Sequence, residues 1–284
     1  MITYPSIEKQ AIRQHYNLGT LFYRLMWGEH LHHGLWNADE RPTVAAVQLT
    51  EELARLARIS GGQRVLDVGC GMGGSSIWLA RERQCSVTGV TVSAVQRRWA
   101  TTSAWWRGVS DRTEFLRVDA ETLELPEQSR DIVWSIECTE HLYDKAAFFA
   151  KARRWLAPGG RFAICAWLAG HDEQAEQTQR LVHEVCEGFF CPSLGTQADY
   201  EQWFTDAGLE IEQSQIWTQR VLKTWEICRD RVRKSGVRHL ASLLGKEHVL
   251  FLDRFDAILE AYRTGAMEYG CFIARAPETD VAVG

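Results

Sequence analysis

The sequence predicts an α/β fold built on a doubly wound, Rossmann-like sheet, and three observations carry that expectation. Short β-branched runs alternate with helical stretches along most of the 284 residues. At residues 64–76 (RVLDVGCGMGGSS) the strand formers Val65, Leu66 and Val68 run into Gly69, Gly71, Gly73 and Gly74 and then into a helix start. At residues 131–141 another strand, DIVWSI, runs into Glu137-Cys138-Thr139-Glu140-His141, a loop expected at the carboxyl edge of the sheet, where such folds hold reacting groups.

In chain order, residues 6–26 predict an amphipathic helix broken near Asn17–Gly19. The run Trp27-Gly28-Glu29-His30-Leu31-His32-His33-Gly34-Leu35-Trp36 follows, and its polar rings and glycines read as a ligand lid. Residues 43–59 read as a helix on the core, and Gly61-Gly62 resets the chain before the first strand. Residues 85–92 (CSVTGVTV) form a strand, Ser93 caps a helix over 94–107, and 114–118 form the third strand. A helix over 146–156 ends at Pro158-Gly159-Gly160 before a fifth strand at 161–167, so that the switch point falls after the first strand. Residues 172–198 interrupt the alternation on the ligand side and are expected to form a substrate wall. A helix over 200–207 and a strand over 209–217 lead to a helical excursion at 220–263, whose ten Lys and Arg against six Asp and Glu make either a solvated face or an anion-holding cap. Residues 268–275 close the sheet. The expected division is a helical lid at 1–60, a ligand-binding core at 61–219, a cap at 220–263, and a last strand with tail at 264–284.

Composition narrows the class. With 45% hydrophobic and 24% charged residues the chain has the makings of a sizeable core, and a net charge of −5 argues against non-specific nucleic-acid binding. No apolar run approaches the roughly 20 residues of a membrane span, and the N-terminal residues lack the apolar stretch of a leader, so a cytoplasmic location is expected. Eight scattered cysteines without a CxxC pair read as reduced thiols. The histidines at 30, 32 and 33 have neither helical i, i+4 spacing nor a carboxylate partner at metal-site spacing, and no metal is expected. Twelve tryptophans exceed what a core of this size needs, so some are expected in a ligand pocket.

The glycine turn binds a nucleotide-like ligand, because glycines permit close backbone approach and a helix N-terminus favours an anionic group. Gly69, Gly71 and Gly74 also satisfy the dinucleotide spacing, but Asp67 at the strand end repels a pyrophosphate and suits the cationic sulfonium of S-adenosylmethionine. Thr91, Val92 and Ser93, with Gln96 one turn on, replace the acid that a nicotinamide site places against ribose hydroxyls. Asp119 and Ala120 are positioned for the adenine amine. His141, with Glu140 beside it, is the leading candidate for a general base, and His33 in the lid is the second.

The segments HYN at 15–17, WGEHLHHGLW at 27–36, VLDVGCGMGG, GVTVSAVQ at 89–96, TEHLYDKAAFF at 139–149, LAPGGR at 156–161 and ADYEQWFTDAGL at 198–209 resemble the γ-tocopherol methyltransferase-like group of class I S-adenosylmethionine-dependent methyltransferases over nearly the whole chain. The resemblance implies a seven-stranded sheet and conversion of the cofactor to S-adenosylhomocysteine. It also implies methyl transfer, at carbon or nitrogen, to a small, largely apolar phenolic, terpenoid or alkaloid acceptor of specialised metabolism; a prenylated or anionic acceptor and a homo-oligomer stay open. Tyr16 is similar to the family tyrosine that folds over the sulfonium, although Asn17 stands where relatives commonly carry Asp. The cofactor set thus comprises Asp67, Gly69, Cys70, Gly71, Thr91, Val92, Gln96, Asp119, Ala120 and Glu137, with Gly34 and Tyr23 from the N-terminal segment. Tyr16, His33 and His141 form the catalytic set. A cofactor-binding cyclase, a non-methylating module and a nicotinamide oxidoreductase remain as alternatives.

Overall fold

Val65, Leu66 and Val68 of β2 (Arg64–Val68) are buried on both faces of the strand, as expected of the centre of a parallel sheet covered by helices. The computed structural model describes residues 1–4, 7–172, 175–234 and 246–278; within these, the side chains of residues 18, 21–23, 25–27, 246–248 and 250–251 lie outside the description. β2 pairs in parallel with β3 (Ser86–Thr91) on one side and β5 (Arg130–Ile136) on the other. β4 (Thr113–Arg117) extends the first side, while β6 (Leu156–Ala169), β9 (Met267–Arg275) and β8 (Glu210–Ile216) extend the second, giving the order β4-β3-β2-β5-β6-β9-β8. The winding direction reverses between β2 and β5, and that reversal opens a crevice at the strands' carboxyl ends.

Helices α3 (Gly74–Glu82), α4 (Ala94–Trp106) and α5 (Lys145–Trp155) make the crossovers. Alternate residues feed two apolar layers: Val65, Ile132 and Trp134 face one, Leu66, Val133 and Phe162 the other. Each large side chain so buried contributes roughly 1.5–3 kcal/mol. Ser93 accepts the Gln96 N–H to cap α4, Asp144 accepts the Ala147 N–H to cap α5, and Thr196 and Asp199 form a reciprocal box on α7 (Gln197–Asp206). The remaining helices are α1 (Lys9–Trp27), α2 (Pro42–Leu56), α6 (Glu176–Phe189), α8 (Thr218–Val221), α9 (Lys223–Lys234) and α10 (Lys246–Thr264).

Three features depart from expectation. α1 is unbroken through Asn17, whose side chain accepts a hydrogen bond from Ser93 at 2.7 Å instead of competing for the helix backbone. β9, last in sequence, lies antiparallel inside the sheet, and β8 is the edge. A short β1 (Ile2–Thr3) pairs with β7 (Ser193–Leu194), fastening the N-terminus to the excursion before α7. Among the described residues, no helix is long and apolar enough to cross a membrane.

Candidate active site

The crevice holds a cavity of about 810 Å³ whose walls come from β2, β3, the loops after β4 and β5, and α1. Gly69, Gly71, Thr91, Val92, Gln96, Asp119, Ala120, Glu137, Tyr16 and His141 all line it. Gly69 and Gly71 take φ values of 77° and 52°, and the N–H groups of Gly69 and Cys70 both donate to the Val90 carbonyl at 3.0 Å, folding the turn back onto β3. Thr91 donates to Gln96 Oε1 at 2.8 Å and accepts the Ser93 N–H, which fixes the hydroxyl and amide on the wall.

Asp67, Cys70 and Gly34 do not line this cavity. Asp67 is 2% exposed beneath the turn and accepts a hydrogen bond from Ser76 at 2.5 Å. Burial pushes its carboxyl up to about 7, and the Ser76 bond pins the strand end to α3. Cys70 is buried against Gly89, and burial raises its thiol above the ordinary range. Gly34 is a packing glycine: its N–H donates to Thr224 at 3.0 Å, and an added Cβ would stand 2.6 Å from that of Ala45. The side chain of Tyr23 lies outside the described residues.

Three of the lining residues that sequence reasoning missed sit on α1. Lys9, Ile12 and Arg13 share the wall with Tyr16, and Lys9 Nζ reaches Asp119 at 2.8 Å and Glu121 at 2.7 Å, tying the helix across the cavity mouth. Their spacing relative to Tyr16, one and two turns back, was a usable signal for a shared helix face.

A second cavity, of about 580 Å³, adjoins the first and is walled by Leu31, Trp167, Phe189 and Trp225, with His33, Glu140 and Cys191 among them. Phe189 and Cys191 come from the 172–198 excursion expected to form a substrate wall. Tyr16, Leu31, Glu137 and His141 line both cavities.

His141 Nδ1 lies 3.0 Å from the Phe190 carbonyl, an acceptor only, so Nδ1 carries the proton and Nε2 accepts from the Tyr16 hydroxyl at 2.7 Å. Phe190 is held at φ 58°, a position that α6's C-cap imposes and that turns the carbonyl toward the ring. Burial lowers the His141 pKa to about 4, which keeps the ring a neutral acceptor.

Glu137, at φ 52°, collects three donors on Oε1: the His33 N–H at 2.8 Å, His33 Nδ1 at 2.9 Å and the Tyr269 hydroxyl at 2.8 Å. Burial alone would raise this carboxyl, but His33, His32 and the donated hydrogen bonds outweigh it and hold it down to about 2. Glu140 goes the other way, with burial pushing it up to about 8; its Oε1 accepts the Trp167 N–H at 2.5 Å. Among the described residues, Glu140 Oε2 and His33 Nε2 are buried without a hydrogen-bond partner.

Within the histidine run, His32 and His33 are buried and line the second cavity. His32 Nδ1 donates to the His33 carbonyl at 2.8 Å, which leaves Nε2 to accept from His30 Nδ1 at 3.2 Å, and burial lowers His30 to about 3. No group of three or more His, Cys, Asp and Glu among the described residues is arranged to hold a metal ion. The basic excursion turns its charges elsewhere: Arg229 pairs with Asp230, Arg233 with Asp256 and Arg263 with Glu226, and none of these arginines lines either cavity. Residues 235–245 of that excursion lie outside the described residues.

Residues 5–265 match the family model described as mycolic acid cyclopropane synthetase. The chain is 33% identical to 27-O-demethylrifamycin SV methyltransferase of Amycolatopsis mediterranei (strain S699), over 89% of this chain and 92% of that one. It is 29% identical to a probable chloroplastic tocopherol O-methyltransferase of Oryza sativa subsp. japonica, over 97% of this chain and 80% of the relative. Among solved structures, the [4+2]-cyclase SpnF superposes with a TM-score of 0.83 at 24% identity, covering 98% of this chain and 99% of that one, a likeness of fold.

Proposed function

Because the chain belongs to the mycolic acid cyclopropane synthetase family and is a class I S-adenosylmethionine-dependent methyltransferase, we propose that its two joined cavities carry a methyl group from cofactor to a small, largely apolar acceptor. The observation that carries this reading is the wall shared by the two cavities, Tyr16, Leu31, Glu137 and His141. The first cavity fits the cofactor by its chemistry: Asp119 offers acceptor oxygens for an amine, Thr91 and Gln96 offer hydroxyl and amide groups, and Gly71 permits close backbone approach. When bound there, the cofactor supplies an electrophilic methyl group on a sulfonium. The chain's own part is alignment and exclusion of water.

Tyr16 stands at the junction and His141 holds its hydroxyl, so His141 acts as a positioning residue through Tyr16. Trp167, Phe189 and Trp225 favour a flat, apolar acceptor. The lid, core and cap division at 1–60, 61–219 and 220–263 belongs to the same reading. So does a cytoplasmic location, which the eight unbridged cysteines support.

Incubation with labelled S-adenosylmethionine and a panel of phenolic, indole, prenylated and prenyl-diphosphate compounds tests the proposal. A product heavier by one methylene supports it; products isomeric with their substrates, or no labelled product from any compound, overturn it. With a competent acceptor, His141→Ala is expected to lower kcat about tenfold without changing the shape of the pH profile. Tyr16→Phe should cost the same, and the double variant no more, since both remove one interaction.

A further inference from the structure

His33 is 1% exposed and lines the acceptor-side cavity, yet its Nε2 has no hydrogen-bond partner among the described residues. The other ring nitrogen lies 2.9 Å from a Glu137 oxygen that also accepts the His33 backbone N–H and the Tyr269 hydroxyl. A carboxylate in that position selects the Nδ1–H tautomer. The ring cannot swing away. Trp167, Trp225, Tyr262 and Tyr269 surround it with ring centroids 4.8–5.8 Å distant. A lone pair is thus fixed in the cavity wall beside the Trp167 and Trp225 rings, and leaving such an acceptor unmade costs roughly 1–3 kcal/mol.

Resting on the methyltransferase reading, we infer that His33, oriented by Glu137, is the general base of the reaction and that the acceptor presents a phenolic hydroxyl to its Nε2. A carbon nucleophile other than an enol or a phenol ring offers no comparable donor to this atom. A neutral amine attacks before it loses its proton and has less need of a base, whereas a phenol becomes a competent nucleophile as its proton leaves. The phenol oxygen forms its bond to the methyl carbon while the sulfur–carbon pair returns to sulfur. The phenolic proton passes to Nε2, leaving a methyl ether, S-adenosylhomocysteine and a His33 imidazolium paired with Glu137. His141 is less suited to this task because Tyr16 already occupies its Nε2. The titratable groups facing His33 are Glu137 and Tyr269 at Nδ1, Tyr262 beside the ring, His32 next in the chain, and Glu140, His141 and Cys191 around the cavity.

The test needs no knowledge of the natural acceptor. The protein loaded with S-adenosylhomocysteine is titrated with 4-nitrophenol, whose ionised form absorbs visible light, and with 4-nitroanisole, which has the same ring and no hydroxyl. The wild type should bind the phenol at least about tenfold more tightly than the ether and ionise it at a lower pH than in solution, because a site built for a hydroxyl rejects its analogue. His33→Phe should lose both effects and keep S-adenosylhomocysteine affinity. His33→Gln, which retains an accepting oxygen without a titrating ring, should keep the preference and lose the ionisation. Equal affinity of the wild type for the two probes, failure to bind the phenol, or persistent ionisation in both variants overturns the inference. Because S-adenosylhomocysteine binding is measured in the same proteins, its absence from the wild type identifies failure of the methyltransferase reading instead.

Discussion

Gly69→Val is expected to lower S-adenosylmethionine affinity by at least about 100-fold, the cost of displacing the backbone that forms one cavity wall. Gly69 sits at φ 77°, where a β-branched side chain is strained, and an added Cβ would fall 2.4 Å from both Cβ and Sγ of Cys138. Neither contact is with the free end of a long side chain, so the loop after β5 must move, taking its neighbours Glu137 and the Thr139–His141 turn with it. Gly71 provides the internal comparison. Its φ is 52°, but an added Cβ would meet only Leu31, at 3.6 Å. Gly71→Ala should therefore cost the fold mainly the left-handed backbone term of roughly 1–2 kcal/mol, and any loss of cofactor affinity comes from the methyl group that stands where the backbone approaches the ligand. Calorimetry with S-adenosylhomocysteine, alongside circular dichroism to verify folding, separates these outcomes. A folded Gly69→Val protein with affinity within threefold of wild type would show that the turn does not shape the cofactor wall.

The Gly69–Cys138 approach also marks the boundary of what the sequence discloses. Glycine spacing, strand periodicity and the Ser93 cap depend on near neighbours, and they located the sheet, its switch point and the wall formed by Gly71, Thr91, Gln96 and Asp119. The misread features depend on partners far along the chain. Asn17 interrupts a helix in isolation but not when Ser93, 76 positions away, takes its side chain. The WGEHLHHGLW run resembles a lid because its polar rings are visible in sequence, whereas the partners that bury them, Glu137, Thr224 and Tyr269, belong to other elements.

Glu137→Ala is expected to lower stability by about 3–5 kcal/mol, because one deletion leaves a buried ring N–H, a backbone N–H and a phenolic hydroxyl without their shared acceptor. For a chain of this size that is a fall in Tm of roughly 6–12 °C. Glu137→Gln keeps one accepting oxygen in place and should lose less. The pH dependence identifies the cause. The Glu137 carboxyl is lowered to about 2 in the folded protein, so its contribution is fully present above the ordinary carboxylate range and disappears as pH falls from about 4.5 toward 2. The Tm gap between wild type and Glu137→Ala should hence shrink as pH falls below about 4.5. Glu140 produces the opposite slope: raised to about 8, with the Glu137 charge among the causes, its contribution is complete below the ordinary range and is lost as pH rises toward 8 in the wild type. Differential scanning calorimetry at a series of pH values therefore distinguishes the two carboxyls within one loop. A gap that persists undiminished at pH 3 would mean that Glu137 stabilises through packing alone, and a His33 ring so weakly held would have no fixed tautomer with which to receive a proton.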